Sequence, residues 1–319
     1  MKILVTGGAG FIGSHIVDQY IAAGQEVLVL DNLSTGKIAN INDSAKLEEL
    51  DLCEFSQVDA LLASYRPDLI CHHAAQIDVR KSVAAPVFDA QVNVLASVNL
   101  LDAAARHGTR GIIFASSGGT VYGETPQPAT ETSAKAPVSP YGAAKHSVEG
   151  YLFSFSATGR LPGITLRYGN VYGPRQDPAG EAGVISIFAG SLLRGDQPTI
   201  FGDGTALRDY IMVADVARAN ELAIEHLLTH MDTPATVDDA AFNIGSGVST
   251  SVNDLYDVIV DRCGSVQSAD HVAPRAGELQ ESRLDITKAA EVLRFNPQVL
   301  LREGIGDTIS WIAAHNADA

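Results

Sequence analysis

The stretch VTGGAGFIG, residues 5–13, decides the fold. Within it, Gly8, Gly10 and Gly13 fit the pattern GxGxxG, and Gly7, Gly10 and Gly13 fit the variant GxxGxxG. A strand-to-helix turn of this kind needs backbone without Cβ, because one glycine makes the turn, one lets a pyrophosphate approach and one lets the helix pack on the strand. The helix N-terminus then offers N–H donors to the phosphates. Because a short apolar run precedes the stretch and a helical pattern follows it, a dinucleotide-binding turn is predicted rather than an ordinary glycine-rich one.

An acidic residue, Asp31, closes the second short apolar run, Val27–Leu30. A carboxylate at this place can accept both ribose hydroxyls of an adenosine and would repel the 2′-phosphate of NADP. Asp31 therefore predicts NAD as the cofactor, against the alternative of a solvated surface aspartate. Asp51 and Leu52, at the end of the next short run, could meet the adenine edge, although a solvated loop aspartate fits that position as well.

Short apolar runs alternate with longer helical patterns through the first half of the chain. This alternation is typical of a parallel sheet with helices on both faces. It predicts an α/β fold, with a Rossmann-type doubly wound parallel sheet and a smaller, mixed C-terminal substrate domain. The runs are 3–5, 27–30, 69–71, 112–115 and 164–166, and the helical patterns cover about 11–23, 56–65, 86–107 and 139–158.

The composition of the chain changes after about residue 170. Glycine and proline become more frequent there, and the apolar segments become shorter. This change indicates a second, smaller region built for a second ligand. The segment 212–228 has the pattern of a helix that returns to the first domain, so the division is discontinuous. The predicted NAD-binding domain is 1–168 plus about 210–240, and the predicted substrate domain is about 169–209 plus 241–319.

Composition excludes several classes of function. The 319 residues include 22 Lys and Arg against 38 Asp and Glu, so the net charge is −16, which disfavours nucleic-acid and anionic-membrane binding. Hydrophobic residues make up 46%, enough for a large core, but no apolar run is long enough to span a bilayer and the N-terminus does not resemble a signal peptide. The cysteines are widely spaced and odd in number (Cys53, Cys71, Cys263), which predicts reduced thiols and a cytoplasmic location.

The segment YGAAK, residues 141–145, has the form YxxxK. On a helix, residues i and i+4 lie on one face, so the phenol of Tyr141 and the ammonium of Lys145 can act together. A nearby ammonium, like a cationic nicotinamide ring, favours the phenolate and lowers the tyrosine pKa from its usual value of about 10. The phenol could then exchange a proton near neutral pH. The alternative is a helix with a half-buried tyrosine and an exposed lysine.

Polar residues also mark the carboxyl ends of two predicted strands. The segment SSGGT, residues 116–120, ends the strand that precedes the YxxxK helix, and ligands of open α/β folds bind at this edge. His72 and His73 end another strand. Adjacent residues on a strand point to opposite faces, so these two rings cannot converge on one ion, and no other His or Cys cluster has ligand spacing. We therefore expect no metal site.

These pieces resemble an extended short-chain dehydrogenase/reductase and, within that superfamily, the nucleotide-sugar 4-epimerases of the UDP-glucose/UDP-galactose type. The likeness covers nearly the whole chain. It is highly specific for the superfamily, good for the 4-epimerase branch and weaker for the sugar. The matching segments are TGGAGFIGSH (6–15), LDNLSTG (30–36), HHAAQ (72–76), VNVLASVNLLDAA (92–104), SSGGTVYG (116–123), SPYGAAK (139–145), RYGNVYGPRQDP (167–178), FGDGTALRDYIMVADV (201–216) and PRAGELQESRLD (274–285).

The resemblance implies a role for each matching residue. Tyr141 would be the acid/base, Lys145 would hold the nicotinamide ribose and lower the Tyr141 pKa, and Ser117 would hydrogen-bond the sugar's 4-oxygen. Many relatives have one residue fewer between this serine and the VYG sequence, which keeps Ser116 as an alternative. Asn93 would support the active-site hydrogen bonds. The alternative is that Asn93 caps a helix or lies on a helix surface. With the glycine loop and Asp31, the expected NAD contacts are Gly7, Gly10, Phe11, Ile12, Gly13, Asp31, Asn32, Asp51, Leu52, Ala74, Ala75, Gln76, Asn93, Tyr141, Lys145 and Tyr168.

A UDP-sugar carries a diphosphate, so a protein of net charge −16 needs local cations to bind it. Arg208 and Arg275 follow glycine-bearing loops, and arginine suits bidentate phosphate contacts. Each could form a surface ion pair instead, but both match the family pattern. Asn170 could reach the diphosphate or the sugar, while Val184 and Phe201 could line a slot for uracil. The expected substrate contacts are Ser117, Tyr141, Asn170, Val184, Phe201, Arg208, Arg275 and Ser282.

The resemblance implies NAD-dependent 4-epimerisation of a UDP-hexose through a 4-keto intermediate. A 4,6-dehydratase of the same fold would carry an Asp-Glu pair where this chain has Gly118 and Gly119. A UDP-glucuronate epimerase or decarboxylase would tend to have a basic residue after GPRQ, where this chain has Asp177. A non-catalytic NAD-binding regulator would be expected to lack the tyrosine or the lysine of YxxxK. Both are present, so epimerisation is the favoured interpretation.

Sugar size and assembly are two further expectations. Ser282 matches a family position beside the sugar's C2 substituent, where relatives restricted to UDP-glucose and UDP-galactose tend to have tyrosine. A serine there predicts that the N-acetylated pair is accepted as well, unless Ser282 is an ordinary surface serine. A homodimer is predicted because relatives pair two helices across a two-fold axis and the matching patterns here look too apolar for one core, with Val94, Val98, Leu101, Val148, Leu152 and Phe155.

Overall fold

The structure is a computed structural model that describes residues 1–177, 183–229, 233–275 and 278–315. Its strands, in chain order, are β1 (Lys2–Thr6), β2 (Glu26–Asp31), β3 (Lys46–Glu49), β4 (Leu69–His72), β5 (Gly111–Ser117), β6 (Gly163–Tyr168), β7 (Asn170–Tyr172), β8 (Thr199–Phe201), β9 (Leu207–Met212), β10 (Ala241–Ile244), β11 (Ser249–Ser251), β12 (Asp270–Val272) and β13 (Glu281–Ser282).

The helices complete the inventory of elements. They are α1 (Phe11–Ala22), α2 (Phe55–Tyr65), α3 (Val79–Ala84), α4 (Pro86–Ala90), α5 (Ala96–Arg106), α6 (Gly118–Val121), α7 (Pro140–Ala157), α8 (Val184–Arg194), α9 (Val213–Thr229), α10 (Val252–Cys263), α11 (Thr287–Val292) and α12 (Leu301–His315), with a 3₁₀ turn at Ile38–Asn40 and a π-helical turn at Gln91–Leu95. Within the described ranges, no helix is long and apolar enough to cross a membrane.

A large parallel sheet has the strand order β10-β6-β5-β4-β1-β2-β3. Ile3 and Val5 point into the core on the side of α1 and α9, whereas Leu4 points into the core on the side of α2, α5 and α7. The order reverses between β1 and β4, and ligands of doubly wound folds bind outside the carboxyl ends of the strands at such a point. The predicted Rossmann-type fold is confirmed.

The C-terminal region builds a smaller layer against this sheet. Strand β9 pairs with β7, β11 and β13, while β8 pairs with β12, and helices α8, α10 and α12 share a separate core. Helix α9 returns to the large sheet, as the helical pattern over 212–228 predicted. The division at residue 241 needs correction, since β10 extends the large sheet beside β6. Residues 210–212 likewise continue β9 in the small sheet.

The remaining differences from the sequence prediction have local causes. Strand β3 was not expected, because its sequence KLEE is polar and it lies at the exposed edge of the sheet. The single helix expected over 86–107 is instead α4, the π-helical turn and α5. Four of the apolar residues that suggested dimerisation belong to the core of one chain and require no partner: Leu101, Val148, Leu152 and Phe155.

Candidate active site

The glycine loop leaves no room for side chains. A Cβ on Gly7, whose φ is +71°, would lie 2.6 Å from the backbone nitrogen of Ala74, and a Cβ on Gly13 would lie 2.1 Å from the Gly7 carbonyl oxygen. Gly10 is the N-cap of α1 and provides no side-chain cap. The first N–H groups of α1, which begins with Phe11, are thus left without a side-chain acceptor, and this arrangement fits the diphosphate of NAD.

The expected adenosine end of the cofactor site is assembled around Asp31. Its carboxylate accepts hydrogen bonds from the backbone N–H groups of Ala9 at 3.0 Å and of Leu33 at 2.9 Å, which ties the end of β2 to the glycine loop. Asn32 donates to Asp51 at 2.8 Å. Leu52 is buried and Ile12 packs against the core beneath α1, so these two residues shape the site through packing.

The segment after β4 forms the next part of the cofactor site. Ala74 donates its N–H to Thr6 at 3.2 Å, and Ala75 follows it, half-buried. Gln76 and Asn93 form a reciprocal pair, in which the Gln76 N–H donates to Asn93 Oδ1 at 2.8 Å and Asn93 Nδ2 donates to the Gln76 carbonyl at 2.9 Å. Asn93 is buried, which removes the alternative of a helix-surface residue.

Helix α7 carries the candidate catalytic pair. Its N-cap is Ser139, whose hydroxyl accepts the N–H of Gly142 at 3.1 Å. Lys145 is buried and donates to the Ala115 carbonyl at 2.8 Å, near the end of β5. The Lys145 nitrogen lies 5.8 Å from the ring centroid of Tyr141, whose side chain remains partly accessible. The predicted i, i+4 face is therefore formed, and Lys145 is buried rather than exposed.

The ionisation of this pair departs from the sequence expectation. Burial raises the pKa of Tyr141, and the charge of Asp89 raises it further. Burial also lowers the pKa of Lys145 to about 8, against the opposing effects of Asp89 and Glu149. In the protein without its cofactor, desolvation of the phenolate therefore dominates, and the lowered Tyr141 pKa expected beside Lys145 and a cationic nicotinamide ring is not seen.

The two serines at the end of β5 have different surroundings. Ser116 is buried, and its hydroxyl donates to Glu149 at 2.6 Å. The same carboxylate accepts two hydrogen bonds from Arg167, at 3.0 and 2.8 Å. Ser117 is half-buried, stands at the N-cap of α6 and faces the space beside Gly119. This geometry favours Ser117 over Ser116 for contact with a ligand.

Three of the expected substrate side chains converge beside Gly119. A Cβ on Gly119 would lie 3.6 Å from Asn170 Oδ1, 3.9 Å from Ser117 Oγ and 4.0 Å from Ser282 Oγ. Ser282 is buried, so it is not an ordinary surface serine. A Cβ on Gly118, in contrast, would lie 2.7 Å from Leu284. The space beside Gly119 is lined by polar groups, as a sugar site requires.

A short pairing of two loops holds Ser282 in place. Thr125 donates its N–H to the Glu281 carbonyl at 2.9 Å, and the N–H of Arg283 donates to the Thr125 hydroxyl at 2.8 Å. Glu124 accepts the N–H of Gln280 at 3.0 Å. The segment that carries Ser282 is thus tied to the loop that follows α6.

The expected nucleotide end is an open cleft of about 720 Å³ in the C-terminal region. Beside it, the Arg275 guanidinium stacks 3.7 Å from the ring centroid of Phe201, which is partly exposed. A cation and an aromatic face at one cleft suit an anionic nucleotide. The cleft is lined by Gly202, Asp203, His271, Val272, Pro274 and Gln280.

Arg208 and Val184 occupy positions nearer to the sugar space. Arg208 donates to the carbonyls of Leu207 at 2.9 Å and Leu279 at 2.7 Å, so part of its guanidinium is engaged by the chain itself. Val184 begins α8 and lines a smaller cavity of about 150 Å³ together with Asn170. Both residues lie in the region expected, and their contacts with substrate stay predictions.

Tyr168 and the two histidines lie deeper. The Tyr168 hydroxyl is 2.9 Å from His73 Nε2 and accepts a hydrogen bond from Asn220 Nδ2 at 2.8 Å. Its side chain is therefore committed to the core, and the expected contact of Tyr168 with the nicotinamide ribose stays a prediction. His72 contacts Thr6 at 2.7 Å instead. The adjacent rings diverge, as their places on a strand predicted.

Sequence reasoning missed several residues that support the site. Glu149 follows Lys145 by four residues and lies on the same helix face, which was the available signal. Arg167 is an arginine inside an apolar strand, where a buried charge needs a partner. Asp89 precedes its partner Asn93 by four residues, a spacing that was also available as a signal. Glu124 gave no signal, because its partner Gln280 lies far from it in sequence.

The fold and this site together define an NAD-binding enzyme of the short-chain dehydrogenase/reductase class. A glycine loop, an acidic residue closing β2 and a YxxxK pair beside β5 all meet at the carboxyl edge of one sheet. The chain belongs to the NAD dependent epimerase/dehydratase family, whose model matches residues 3–245.

Individual relatives cover nearly the whole chain. A UDP-glucose 4-epimerase of Mycolicibacterium smegmatis is 43% identical over 316 residues, with 98% of each chain covered. The structure of a UDP-glucose 4-epimerase from Thermotoga maritima, solved with UDP-glucose, has a TM-score of 0.93 at 43% identity and covers 98% of this chain and 99% of its own. A UDP-N-acetylglucosamine 4-epimerase from Methanobrevibacter ruminantium, in complex with UDP-N-acetylmuramic acid, has a TM-score of 0.90 at 35% identity over 98% of both chains.

Proposed function

We propose that this protein is a UDP-hexose 4-epimerase that acts on UDP-glucose and UDP-galactose and also on their N-acetylated counterparts. The observation that carries the proposal is the polar space beside Gly119, which adjoins the helix of Tyr141 and Lys145 at the NAD-binding edge of the sheet. The named relatives of Mycolicibacterium smegmatis and Thermotoga maritima support the substrate class.

The chain's own residues divide the chemistry among them. Tyr141, as phenolate, takes the proton of the sugar's 4-hydroxyl, and Ser117 hydrogen-bonds the 4-oxygen. Lys145 orients the nicotinamide ribose and supplies positive charge beside the phenol. NAD, when bound, supplies reversible hydride exchange at C4. Tyr141 returns the proton after the 4-keto sugar has rotated beside Gly119. The reaction therefore has no net change of oxidation state, and NAD stays bound.

The nucleotide is held by the C-terminal region. Arg275 and Arg208 offer the cations that a protein of net charge −16 must concentrate locally. The ring of Phe201 provides a flat face for uracil beside Arg275. Asn170 and Val184 bridge this end to the sugar space. The separation of nucleotide and sugar sites lets the sugar turn while the diphosphate remains fixed.

Two rival reactions on the same fold are less well supported. A 4,6-dehydratase would need an acidic side chain at position 118. The Cβ of such a side chain would lie 2.7 Å from Cδ1 of Leu284. A UDP-glucuronate enzyme would need a cation after GPRQ. Asp177 stands there and forms an ion pair with Lys37 at 2.9 Å, which neutralises the nearby lysine.

We also propose that the protein is a cytoplasmic homodimer. An apolar surface patch, made of Val83, Val87, Phe88, Leu95 and Tyr151, is exposed on α3, α4, the π-helical turn and α7. These elements pack against one another, and exposed apolar side chains grouped on neighbouring elements are typical of an interface. The three cysteines are free thiols, which supports a reducing compartment.

The experiment that tests this function uses purified protein without added NAD. UDP-galactose, UDP-GalNAc and UDP-glucuronate are each incubated with it, and the products are resolved by chromatography. Conversion of the first two to their 4-epimers, with none of the third, supports the proposal. Absence of any epimer from UDP-galactose, in protein shown to contain NAD, would refute it.

A further inference from the structure

We propose that Asp89 is a positioning residue of the catalytic centre, whose carboxylate fixes the amides of Gln76 and Asn93 and serves as the counter-anion of the buried Lys145 ammonium. The inference rests on the proposed function only for the substrate of its kinetic test.

The hydrogen bonds of Asp89 are asymmetric. The residue is 1% exposed, and its Oδ1 accepts from Gln76 Nε2 and from Asn93 Nδ2, each at 2.9 Å. Its Oδ2 is also buried and has no hydrogen-bond partner among the described residues. A buried carboxylate with one unpartnered oxygen is unfavourable unless a nearby positive charge compensates it. In this proposal the positive charge is the Lys145 ammonium, and it links Asp89 to the catalytic pair.

The local backbone places Asp89 and Asn93 on one side of the helical segment formed by α4 and the π-helical turn. Helix α4 begins at Pro86, and the π-helical turn Gln91–Leu95 follows it directly. Single π-helical turns are frequent at functional sites. Ser97, in the first turn of α5, donates to the Asn93 carbonyl at 2.6 Å, which helps to fix the turn that carries Asn93. Asn93 in turn holds the main chain of Gln76, an expected cofactor contact.

Helix α4 packs against α7, which carries the catalytic pair. Asp89 and Glu149 both raise the pKa of Lys145, although burial is the larger effect and lowers it to about 8. The charged and titratable groups on the elements packed against α7 are Arg80 and Lys81 of α3, Asp89 of α4, Asp102 and Arg106 of α5 and Arg167 of β6. His72 ends β4 and His73 follows it, and burial together with the charge of Lys145 lowers the pKa of both. Helix α7 itself carries Tyr141, Lys145, His146, Glu149 and Tyr151.

Of the two carboxylates that favour the charged lysine, only Asp89 is free to act as its counter-ion. Glu149 accepts two hydrogen bonds from Arg167, so its charge is already balanced. Asp89 accepts its two side-chain hydrogen bonds from the neutral amides of Gln76 and Asn93, which bring no compensating charge. A lysine that lost its proton could no longer stabilise the Tyr141 phenolate. Asp89 thus favours the charged form of Lys145 that this role requires.

The test compares Asp89→Asn with Asp257→Asn, which removes an equal charge from an exposed position on α10. Without the Asp89 charge, the pKa values of Lys145 and Tyr141 both fall. Both limbs of the pH profile of kcat/KM for UDP-galactose should therefore move to lower pH, by about one unit. The remote variant should leave the profile unchanged. Equal profiles for Asp89→Asn and wild type would overturn the inference.

A second measurement needs no substrate. In protein labelled with ¹³C-lysine, the Lys145 signal is assigned by its loss in Lys145→Arg and titrated by NMR. A lower titration midpoint in Asp89→Asn supports the inference even if wild type epimerises no UDP-hexose, and an unchanged midpoint overturns it. Asp89→Glu should restore the midpoint. If Asp89→Asn does not fold, Asp89→Ser removes the same charge with a smaller side chain.

Discussion

At the scale of single residues, Tyr141 and Lys145 are each disfavoured in their charged forms. Burial raises the tyrosine pKa and lowers the lysine pKa, and Asp89 supports only the lysine. The phenol of the protein alone is therefore neutral near pH 7. It needs additional positive charge beside it before it can accept a proton. The candidate base Tyr141 thus has its place on the helix but is not yet ionised.

Tyr141→Phe should retain NAD and lose turnover by about 10²–10⁴-fold, the usual contribution of an acid/base group. The ring and its position beside Lys145 are kept, so only the hydroxyl is lost. Steady-state kinetics with UDP-galactose and the NAD content of the purified protein measure the two properties. Activity near that of wild type would remove Tyr141 from the mechanism.

Ser282→Tyr should abolish epimerisation of the N-acetylated sugars and spare UDP-glucose and UDP-galactose. Ser282 Oγ lies 3.5 Å from the Gly119 carbonyl, so a tyrosine ring would extend into the sugar space. A clash with one substrate is how a pocket discriminates against it. Ser282→Ala, which is smaller, should keep both activities. An equal loss of both activities in a stably folded Ser282→Tyr would show that Ser282 does not control sugar size.

At the scale of elements, a buried ion pair joins helix α7 to strand β6. Arg167 is fully buried and donates to Glu149, to the Tyr122 hydroxyl at 2.9 Å and to Asp238 at 2.9 Å. The network reaches the active site through Ser116, which stands next to Ser117. The helix that carries the catalytic pair is thereby fixed against the strand end that carries Ser117.

This ion pair predicts a specific pH dependence of stability. Burial alone raises the pKa of Glu149, but hydrogen bonds from His146, Arg167 and Ser116, with the charge of Arg167, outweigh it and lower the pKa to about 2. Because the folded pKa lies below the unfolded value of about 4.3, the contribution is complete above that value and is lost as the pH falls towards 2.

Glu149→Gln should lower the free energy of unfolding at pH 7 by about 3 kcal/mol, since it leaves the buried Arg167 with less compensation. The difference from wild type should shrink between about pH 4.5 and pH 2, where the wild-type carboxylate takes up a proton. Denaturant unfolding across that range measures it, with exposed Glu291→Gln as the control. A difference that stays constant with pH would contradict the assignment.

At the scale of the whole molecule, the exposed apolar surface patch is the feature that one chain leaves unexplained. Val87 is 80% exposed and Val83 is 62% exposed, although both lie close to the catalytic helix. The patch includes Tyr151 of α7, so an interface there would also pack against the helix of Tyr141 and Lys145. Assembly and activity are then expected to depend on each other.

Wild-type protein should be a dimer at micromolar concentration, and Val83→Asp with Val87→Asp should make it a monomer, because two charges would be buried unpaired at the interface. Light scattering coupled to size-exclusion chromatography measures the mass. Val266→Asp is the control, since Val266 is 99% exposed and lies outside the patch. A monomeric wild type would refute the dimer.

Local sequence determined much of this protein. The glycine loop, the apolar runs that became β1, β2, β4, β5 and β6, and the YxxxK helix were all predictable, because their periods and turn residues lie within a few positions of one another. The family's motifs extended the prediction to candidate site residues, whose contacts with NAD and substrate stay predictions. Strand β3 was not predicted, because an exposed edge strand with the sequence KLEE has no apolar pattern.

Tertiary structure alone decided the pairings between distant segments. The place of β10 beside β6, the hydrogen bond of Ser116 to Glu149 and the link from Glu124 to the segment of Ser282 each join residues that are 30 or more positions apart. The Tyr141 pKa is raised, whereas the sequence predicted that it would be lowered. The reason is the same, because burial depends on the packed core and not on the residues adjacent in sequence. Sequence period reports which face of an element is apolar, whereas desolvation and charge depend on what the fold packs against that face.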